Sequence, residues 1–211
     1  MAKAKVNRRV SESAARATAQ RRRRNLLWSG GIVILAVALI AVVAALGLPG
    51  LGAPDVIPGT SQANFDISLY QGEDELGSNE LDFAQLQGQP IVLNFWAGLC
   101  PPCRAEMPDL QRFYDEYSGD VLLLGVDVGR FSGLGSRRDA QNLLDELGIT
   151  YPAGSTNKRS IMRDYQVLSM PTTVFIDSKG GVFRRWSGAL NRDTLGQITD
   201  QMLAQEAAAA Q

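Results

Sequence analysis

The sequence predicts an α/β domain with a sheet of mixed strand direction, preceded by a single membrane-spanning helix. The prediction rests on three features of the chain. One segment, Leu26–Leu48, is 23 residues long and contains no charged residue. Beyond it, short apolar runs alternate with segments of helical spacing, in the order β-α-β-α. The chain then ends in two adjacent strand-like runs and a last helix, so the sheet must hold antiparallel as well as parallel pairs.

The first half of the domain is predicted to alternate strand and helix. Alternating apolar residues over Phe65–Leu69 indicate an exposed or edge strand, followed by a hairpin return and a short helix over 73–88. The apolar runs 90–95 and 121–128 are typical of strands buried on both faces. Between these two runs, residues 101–117 have helical spacing.

The second half begins with a helix whose ends are both marked in the sequence. Ser136 with Asp139 three residues later predicts its start, and Gly148 predicts its end. The remaining predicted elements, in chain order, are a short strand near residue 151, a helix over 160–165, strands over 172–177 and 181–187, and a helix over 192–205. The folded domain is therefore expected at residues 64–206, with 207–211 as a tail.

Composition limits the chemistry that the chain can perform. The 211 residues are 45% hydrophobic and 20% charged, which is ordinary for a globular protein, but they include no histidine and only two cysteines. The lack of histidine excludes Ser-His-Asp and Cys-His catalysis and histidine-ligated zinc, and Arg104 after the second cysteine excludes c-type haem attachment. Thiols, carboxylates or backbone groups must therefore carry the chemistry, and no metal or other cofactor is expected.

Charge is distributed unevenly. Residues 1–25 hold nine Lys/Arg residues and one acidic residue, whereas the rest of the chain holds 12 basic and 21 acidic residues. As a helix, Leu26–Leu48 would extend roughly 34 Å, enough to cross a hydrocarbon core of about 30 Å. The positive-inside rule then predicts residues 1–25 as a cytoplasmic arm, 26–48 as a signal anchor, and an extracytoplasmic domain. A cleaved signal peptide and a buried soluble helix are the alternatives.

The regions on either side of the predicted anchor follow from this topology. The basic arm could bind nucleic acid, but the adjacent apolar segment explains its charge as a topology signal that also attracts anionic lipid. Membrane lipid rather than nucleic acid is therefore the expected partner. Residues 49–63 contain three prolines and three glycines, which predicts a semi-extended linker. The domain beyond it is expected to be a monomer.

Both cysteines lie in one motif, Cys100-Pro101-Pro102-Cys103, where a predicted buried strand meets a helix. Cys100 is expected at the helix N-terminus, where unpaired N–H groups and the helix dipole favour a thiolate. Cys103 lies one turn further, so the two sulfurs can close a small ring. Half of a zinc site and an inert structural disulfide are the alternatives, although no other Cys or His could complete a zinc site. The strand-to-helix position beside Trp96 favours a redox-active pair.

The stretch NFWAGLCPPCRAEMPDL resembles the active-site segment of the thioredoxin superfamily, in particular its membrane-tethered TlpA/ResA-like thiol–disulfide oxidoreductases. A second stretch, VLSMPTTVFID at residues 167–177, resembles the cis-proline loop of that family and the strand after it. The resemblance spans about residues 62–205. It implies a thioredoxin fold with an N-terminal β extension and an insertion before the cis-proline half.

The resemblance also implies residue roles. Cys100 would be the exposed attacking thiol and Cys103 the resolving thiol, with a disulfide between them in the oxidised state. Pro171 would be cis, which would place the Met170 backbone beside the sulfurs to pair with an incoming chain. Spacing alone predicts Glu106 to be a solvated surface acid, but it matches the buried glutamate of the family. Glu106 would then accept the proton of Cys103, because Asn94 stands where cytoplasmic thioredoxins carry a buried aspartate.

A partner protein is expected to dock on the residues around the cysteine pair. The predicted contacts are Trp96, Leu99, Pro101, Pro102 and Met170. Gly98-Leu99 replaces the Thr-Trp that is usual in the family, and Ser169 stands where the family often has glycine, which leaves the identity of the partner open. The loop 129–135 is a candidate for partner recognition, with a plain flexible loop as the alternative.

The function predicted from these features is a membrane-tethered, extracytoplasmic thiol–disulfide oxidoreductase that acts on protein thiols and disulfides through a mixed disulfide. The resemblance implies a reductant, for example of apocytochrome c before haem attachment, supplied by a membrane electron donor. Two other classes stay open. A non-catalytic membrane-tethered adaptor would not need both thiols, and a peroxiredoxin-like enzyme would carry a Pro-x-x-x-Thr-x-x-Cys signature, which is absent.

Overall fold

The computed structural model describes residues 63–210, which form seven strands, six helices and one 3₁₀ turn. The strands are β1 Asp66–Gln71, β2 Glu80–Asp82, β3 Ile91–Trp96, β4 Leu122–Asp127, β5 Ala153–Ser155, β6 Thr172–Ile176 and β7 Val182–Ser187. The helices are α1 Glu73–Leu76, α2 Pro101–Tyr117, α3 Gly129–Ser132, α4 Arg137–Leu147, α5 Ile161–Asp164 and α6 Arg192–Ala209, with a 3₁₀ turn at Phe83–Leu86.

All seven strands belong to one mixed sheet, in the order β2-β1-β5-β4-β3-β6-β7. β3 pairs in parallel with β4, and β4 in parallel with β5. The remaining pairs, β1 with β2, β1 with β5, β3 with β6 and β6 with β7, are antiparallel. The predicted mixed sheet is therefore confirmed, with β3 and β4 at its centre.

β1 is not an edge strand, so that part of the prediction was wrong, but one of its faces is exposed or half-buried, as the alternating pattern indicated. β1 has a neighbour on each side, because the predicted hairpin return β2 pairs along one edge and β5, more than 80 residues later, pairs along the other. Ile67 is fully buried because it lies on the face of β1 that packs into an apolar cluster. The strand alternates because only one of its faces packs into the core, which the sequence pattern alone could not separate from an edge position.

Side chains alternate between the two faces of β3 and enter two separate apolar clusters. Val92 and Trp96 pack with both cysteines and with residues of α2, α4 and α6. Leu93 and Phe95 pack on the opposite face with residues of β1, the 3₁₀ turn and α5. All six residues of β3 are therefore buried, as the apolar run predicted.

The predicted limits of α4 are confirmed. The Ser136 hydroxyl accepts a hydrogen bond from the Asp139 N–H, the Asp139 carboxylate accepts one from the Ser136 N–H, and Gly148 ends the helix with φ of 62°. The last helix, α6, continues to Ala209. The predicted tail therefore begins too early, because alanine is the strongest helix former and extends the helix.

Within residues 63–210, none of the helices combines the length and apolar character that a membrane span requires. The predicted anchor Leu26–Leu48, the basic arm 1–25 and nearly all of the linker 49–63 lie outside the described residues.

Candidate active site

The two cysteines lie where β3 ends and α2 begins. They form a disulfide with a Cα–Cα distance of 5.3 Å, and Cys100 is the N-cap of α2, with its Sγ accepting a hydrogen bond of 3.3 Å from the Cys103 N–H. Cys103 is fully buried, whereas Cys100 is 3% exposed. Cys100 is the slightly more exposed of the two cysteines, but it is buried and not exposed as the resemblance implied, because both cysteines pack into the apolar cluster on this face of the sheet.

A cis-proline loop lies at the same edge of the sheet. The Met170–Pro171 peptide bond is cis, as expected. Thr172, the next residue, pairs with Phe95 near the end of β3, so Pro171 and the cysteines share one edge. The loop is held by two hydrogen bonds, from the Gly188 N–H to the Pro171 carbonyl at 2.9 Å and from the Thr172 hydroxyl to the Ser169 carbonyl at 2.7 Å.

Glu106 lies one turn beyond Cys103 on α2 and is only 2% exposed, so it is not a solvated surface acid. Its two carboxylate oxygens accept separate hydrogen bonds, Oε1 from the Asn94 side-chain amide at 2.9 Å and Oε2 from the Leu190 N–H at 3.0 Å. The Asn94 amide also donates to the Thr173 hydroxyl at 3.0 Å. The carboxylate is therefore fixed in a buried polar cluster between α2, β3, β6 and the loop before α6.

Burial raises the pKa of Glu106 to about 7, and the hydrogen bonds from Leu190 and Asn94 offset part of this rise. A carboxyl group with a pKa near neutrality can both accept and release a proton under physiological conditions. The pKa of Glu106 is thus raised, the direction expected for a desolvated carboxylate.

The raised pKa of Glu106 predicts a pH-dependent contribution to stability. In the folded chain the Glu106 carboxyl group keeps its proton up to a pH of about 7, whereas in the unfolded chain it loses the proton near the ordinary pKa of 4.5. The free energy of unfolding must therefore fall as the pH rises between these two values. We expect the parent to lose about 2–3 kcal/mol relative to Glu106→Gln between pH 5 and pH 8. Urea unfolding of both oxidised proteins at the two pH values measures this difference, and an identical pH dependence would contradict it.

The surface next to the cysteines contains two of the most exposed large apolar side chains in the described chain. Leu99 is 60% exposed and Leu168, in the cis-proline loop, is 90% exposed. Pro101 and Pro102 are exposed as well, and Met170 is half-buried. Leu168 was not among the predicted contacts, although an apolar residue three positions before the cis-proline is the signal that could have found it.

Trp96 does not belong to this surface. Its side chain is fully buried among the apolar residues between the sheet and α2. The substrate contact predicted for Trp96 is therefore incompatible with its position in this oxidised state. Trp96 packs behind the cysteines, as expected for a residue at the end of a strand that is buried on both faces.

The packing around Gly98 explains why this chain has glycine where the family it resembles usually has threonine. A Cβ atom at Gly98 would lie 2.5 Å from the Ala140 amide nitrogen and 2.5 Å from the Asp139 carbonyl carbon. Both atoms belong to the backbone of α4, which cannot move aside as a flexible side chain would. The first turn of α4 thus packs directly on the segment that leads to Cys100.

We expect Gly98→Ala to lower the free energy of unfolding by about 3 kcal/mol, because the added methyl group overpacks against a helix backbone. Gly119→Ala is the matched control, since a Cβ atom there meets nothing within 4 Å. The control should change stability by less than about 1 kcal/mol. Urea unfolding of the two variants compares them directly. Equal shifts of the two midpoints would contradict this expectation and show that the α4 backbone moves to accommodate the added methyl group.

Two partners of the site were missed from the sequence. The Leu190 contact was missed because it uses a backbone N–H, which any residue other than proline could supply. Tyr151 is fully buried in the same apolar cluster, and its hydroxyl has no hydrogen-bond partner among residues 63–210. Burial, and secondarily the negative charge of Glu106, raise the pKa of Tyr151. The sequence predicted only a short strand near this residue.

Thiol–disulfide exchange is the chemistry that this arrangement supports, and the sheet and helices that position it have the architecture of thioredoxin. The chain belongs to the AhpC/TSA family, whose model matches residues 60–185. It is 31% identical over 183 residues to the thiol-disulfide oxidoreductase ResA of Oceanobacillus iheyensis. The alignment covers 86% of this chain and 92% of the relative. It is 26% identical over 153 residues to the sporulation thiol-disulfide oxidoreductase A of Bacillus subtilis. This alignment covers 68% of this chain and 88% of the relative.

Solved structures share the fold. The crystal structure of StoA from Bacillus subtilis superposes with a TM-score of 0.55 at 23% identity, covering 67% of this chain and 99% of StoA. A DsbF homologue from Corynebacterium diphtheriae gives a TM-score of 0.57 at 20% identity, covering 72% of this chain and 95% of the homologue. The predicted thioredoxin fold and family resemblance are thus confirmed, and the protein is a thiol–disulfide oxidoreductase of the ResA/StoA type.

Proposed function

We propose that the protein is tethered to the cell membrane and reduces disulfides in extracytoplasmic partner proteins, with apocytochrome c as the leading candidate. The observation that carries thiol–disulfide exchange is the cysteine pair at the start of α2, with the buried carboxyl group of Glu106 one turn beyond Cys103. The reductant direction is taken from the TlpA/ResA resemblance. The tether is supported by the uncharged segment Leu26–Leu48 after nine basic residues. The cytochrome c role is taken from the TlpA/ResA resemblance.

In the first step, Cys100 attacks the partner. The N-terminus of α2, a helix of 17 residues, stabilises the Cys100 thiolate through its dipole and its unpaired N–H groups. The thiolate attacks one sulfur of a partner disulfide, so a Cys100–partner bond forms, the partner disulfide breaks, and the other partner sulfur leaves and takes up a proton. Exposed Leu99 and Leu168 offer apolar contacts to the chain that carries the disulfide.

In the second step, Cys103 resolves the mixed disulfide. The Cys103 thiol passes its proton to the Glu106 carboxylate and its sulfur attacks the Cys100 sulfur. The Cys100–partner bond breaks, and the second partner sulfur leaves and is protonated. The partner has then gained two electrons and two protons, and the protein holds the Cys100–Cys103 disulfide. A membrane dithiol protein is the proposed donor that reduces this disulfide for the next cycle. One chain suffices for the cycle, because both cysteines and Glu106 lie in the same domain.

Reduction of insulin by the full-length protein, purified in a mild detergent and supplied with dithiothreitol, tests the catalytic part of the proposal. The parent should accelerate precipitation of the insulin B chain above the rate with dithiothreitol alone, and Cys100→Ser should not. No acceleration by the parent would favour the alternative of a non-catalytic adaptor with the same fold.

Protease accessibility tests the membrane part of the proposal. In spheroplasts, added protease should digest the domain that begins near residue 64, while a tag placed before Met1 should remain protected until the membrane is opened with detergent. Full protection of the domain would contradict the proposed topology. Release of the domain as a shorter soluble form would instead show that the apolar segment is a cleaved signal peptide.

A further inference from the structure

A second buried carboxylate lies at the same edge of the sheet but outside the site described above. Asp127 ends β4 and pairs with Trp96, the last residue of β3. Its Oδ1 accepts a hydrogen bond from the Gly129 N–H at 2.8 Å, and its Oδ2 accepts one from the Tyr70 hydroxyl at 2.9 Å. Neither step of the proposed exchange uses Asp127. Burying a carboxylate is costly even when it accepts two hydrogen bonds, so the position of Asp127 requires a physical reason.

The hydrogen bonds continue from Asp127 to the residue before the attacking cysteine. The Leu134 N–H donates to the Gly129 carbonyl at 3.1 Å, and the Leu99 N–H donates to the Leu134 carbonyl at 2.8 Å. Four hydrogen bonds thus form one chain from the Tyr70 hydroxyl, through Asp127 and the loop 129–135, to the backbone of Leu99.

The loop 129–135 is packed tightly against the segment that leads to the cysteines. A Cβ atom at Gly129 would lie 3.2 Å from Ala97 Cβ, and one at Gly135 would lie 3.2 Å from the Leu99 amide nitrogen. Its first residues form the helical turn α3. The two ends of the loop are therefore fixed against the segment before Cys100, whereas Arg130, Ser132 and Gly133 between them are exposed.

Tyr70 is itself held from two sides. Its hydroxyl donates to Asp127, and the guanidinium group of Arg137 lies over its ring at 4.9 Å from the centroid. Arg137 is the first residue of α4, the helix whose backbone packs on Gly98. The segment before Cys100 is therefore braced by α4 and by the loop 129–135 together.

We infer that Asp127 and Tyr70 are positioning residues that hold Leu99 in a fixed orientation beside the cysteines, so that its exposed side chain is ordered before a partner protein docks. Ordering a contact in advance lowers the entropy cost of binding. The inference rests on the proposed function, because it takes Cys100 as the sulfur that meets the partner. A small disulfide does not extend to Leu99, so the effect should be confined to protein substrates.

Steady-state kinetics of the full-length protein with insulin and with a small aromatic disulfide test the inference. We expect Asp127→Ala to lower kcat/KM for insulin about tenfold and Tyr70→Phe about threefold, mainly through KM, with less than about twofold change for the small disulfide. Tyr70→Phe keeps the half-buried ring and its contact with Arg137, so it remains informative if Asp127→Ala fails to fold.

Two matched controls remove similar hydrogen bonds far from Leu99. Tyr165→Phe deletes a hydroxyl that donates to the Ala63 carbonyl at 2.8 Å on the other face of the sheet. Asp177→Ala deletes a carboxylate that accepts hydrogen bonds from the Lys179 and Gly181 N–H groups. Asp177 follows the end of β6, which pairs with the start of β3, so it lies at the opposite end of β3 from the cysteines. Both controls should keep the parental kcat/KM for insulin.

A double-variant cycle separates positioning from general stability. If Tyr70 acts through Leu99, the losses caused by Tyr70→Phe and Leu99→Ala with insulin should not add. Leu99→Ala removes the side chain that Tyr70 positions, so Tyr70→Phe should cause no further loss in its presence. Additive losses, equal losses with both substrates, or no loss with either would overturn the inference while parental activity stands. A parent that is inactive toward both substrates would overturn the proposed function and the inference with it.

Discussion

Cys103→Ala is expected to accumulate partner proteins in mixed disulfides with Cys100, and Cys100→Ala is expected to lose disulfide exchange by at least about 10³-fold. Cys100 caps α2 and is the more accessible sulfur, whereas Cys103 is fully buried behind it. Without Cys103, nothing in the domain can displace the partner from Cys100, since the chain has only these two cysteines. Non-reducing electrophoresis and mass spectrometry of the trapped species measure the outcome.

The control for this experiment is the variant with both cysteines replaced by alanine, which should trap nothing. Trapping by Cys100→Ala, at a level equal to that of Cys103→Ala, would contradict the assignment of the two roles. It would mean that a partner can reach Cys103 despite its complete burial in the oxidised domain.

Glu106→Gln is expected to slow resolution of the mixed disulfide about 100-fold near neutral pH, because it removes the proton acceptor of Cys103. Burial raises the pKa of Glu106 to about 7, so the carboxylate that accepts the proton is populated as the pH rises through this value. The rate of resolution in the parent should therefore rise across pH 6–8. In the variant this rise should be lost, leaving only the rise at higher pH from ionisation of Cys103 itself.

Stopped-flow release of a thiol reporter from a Cys100 mixed disulfide, formed at low pH and then mixed into buffers from pH 6 to pH 9, measures this rate. Glu116→Gln is the matched control, because Glu116 lies on the same helix but at the surface, in an ion pair with Arg192. It should keep the parental rate and pH profile. An unchanged profile in Glu106→Gln would show that the buried carboxylate has no part in proton transfer.

The parts of the fold that were predicted correctly depend on short stretches of sequence. The start of α4 follows from Ser136 and Asp139, and its end from Gly148, because a capping box and a left-handed glycine act within one turn. The start of α2 follows in the same way from two prolines in its first turn. These signals are local, so tertiary contacts did not alter them.

The parts that were missed depend on contacts between distant segments. Spacing placed Glu106 on an exposed helix face, and only the family resemblance indicated its burial, because the groups that accommodate it come from β3 and from the loop before α6. Strand β1 shows the same limit, since its neighbour β5 lies more than 80 residues later in the chain. The contact between Tyr70 and Asp127 also joins distant segments and left no motif in the sequence.

The two buried carboxylates at this edge of the sheet have different surroundings. Glu106 accepts hydrogen bonds from a side-chain amide and a backbone N–H below the cysteines, where a proton must move. Asp127 accepts its hydrogen bonds from the phenol of Tyr70 and from the N–H of Gly129, the first residue of the loop 129–135 that packs against the segment before Cys100. We therefore propose proton transfer for Glu106 and positioning for Asp127.

The alkylation rates of the two thiols provide the most direct test of the proposal that Cys100 attacks and Cys103 resolves. The full-length protein is reduced, freed of reductant, treated with iodoacetamide at pH 7 and sampled over time, and modification of each cysteine is quantified by mass spectrometry of its peptides. Cys100 should react at least about tenfold faster than Cys103, because its thiolate is stabilised at the N-terminus of α2 and is less shielded. Equal rates, or faster modification of Cys103, would contradict the assignment.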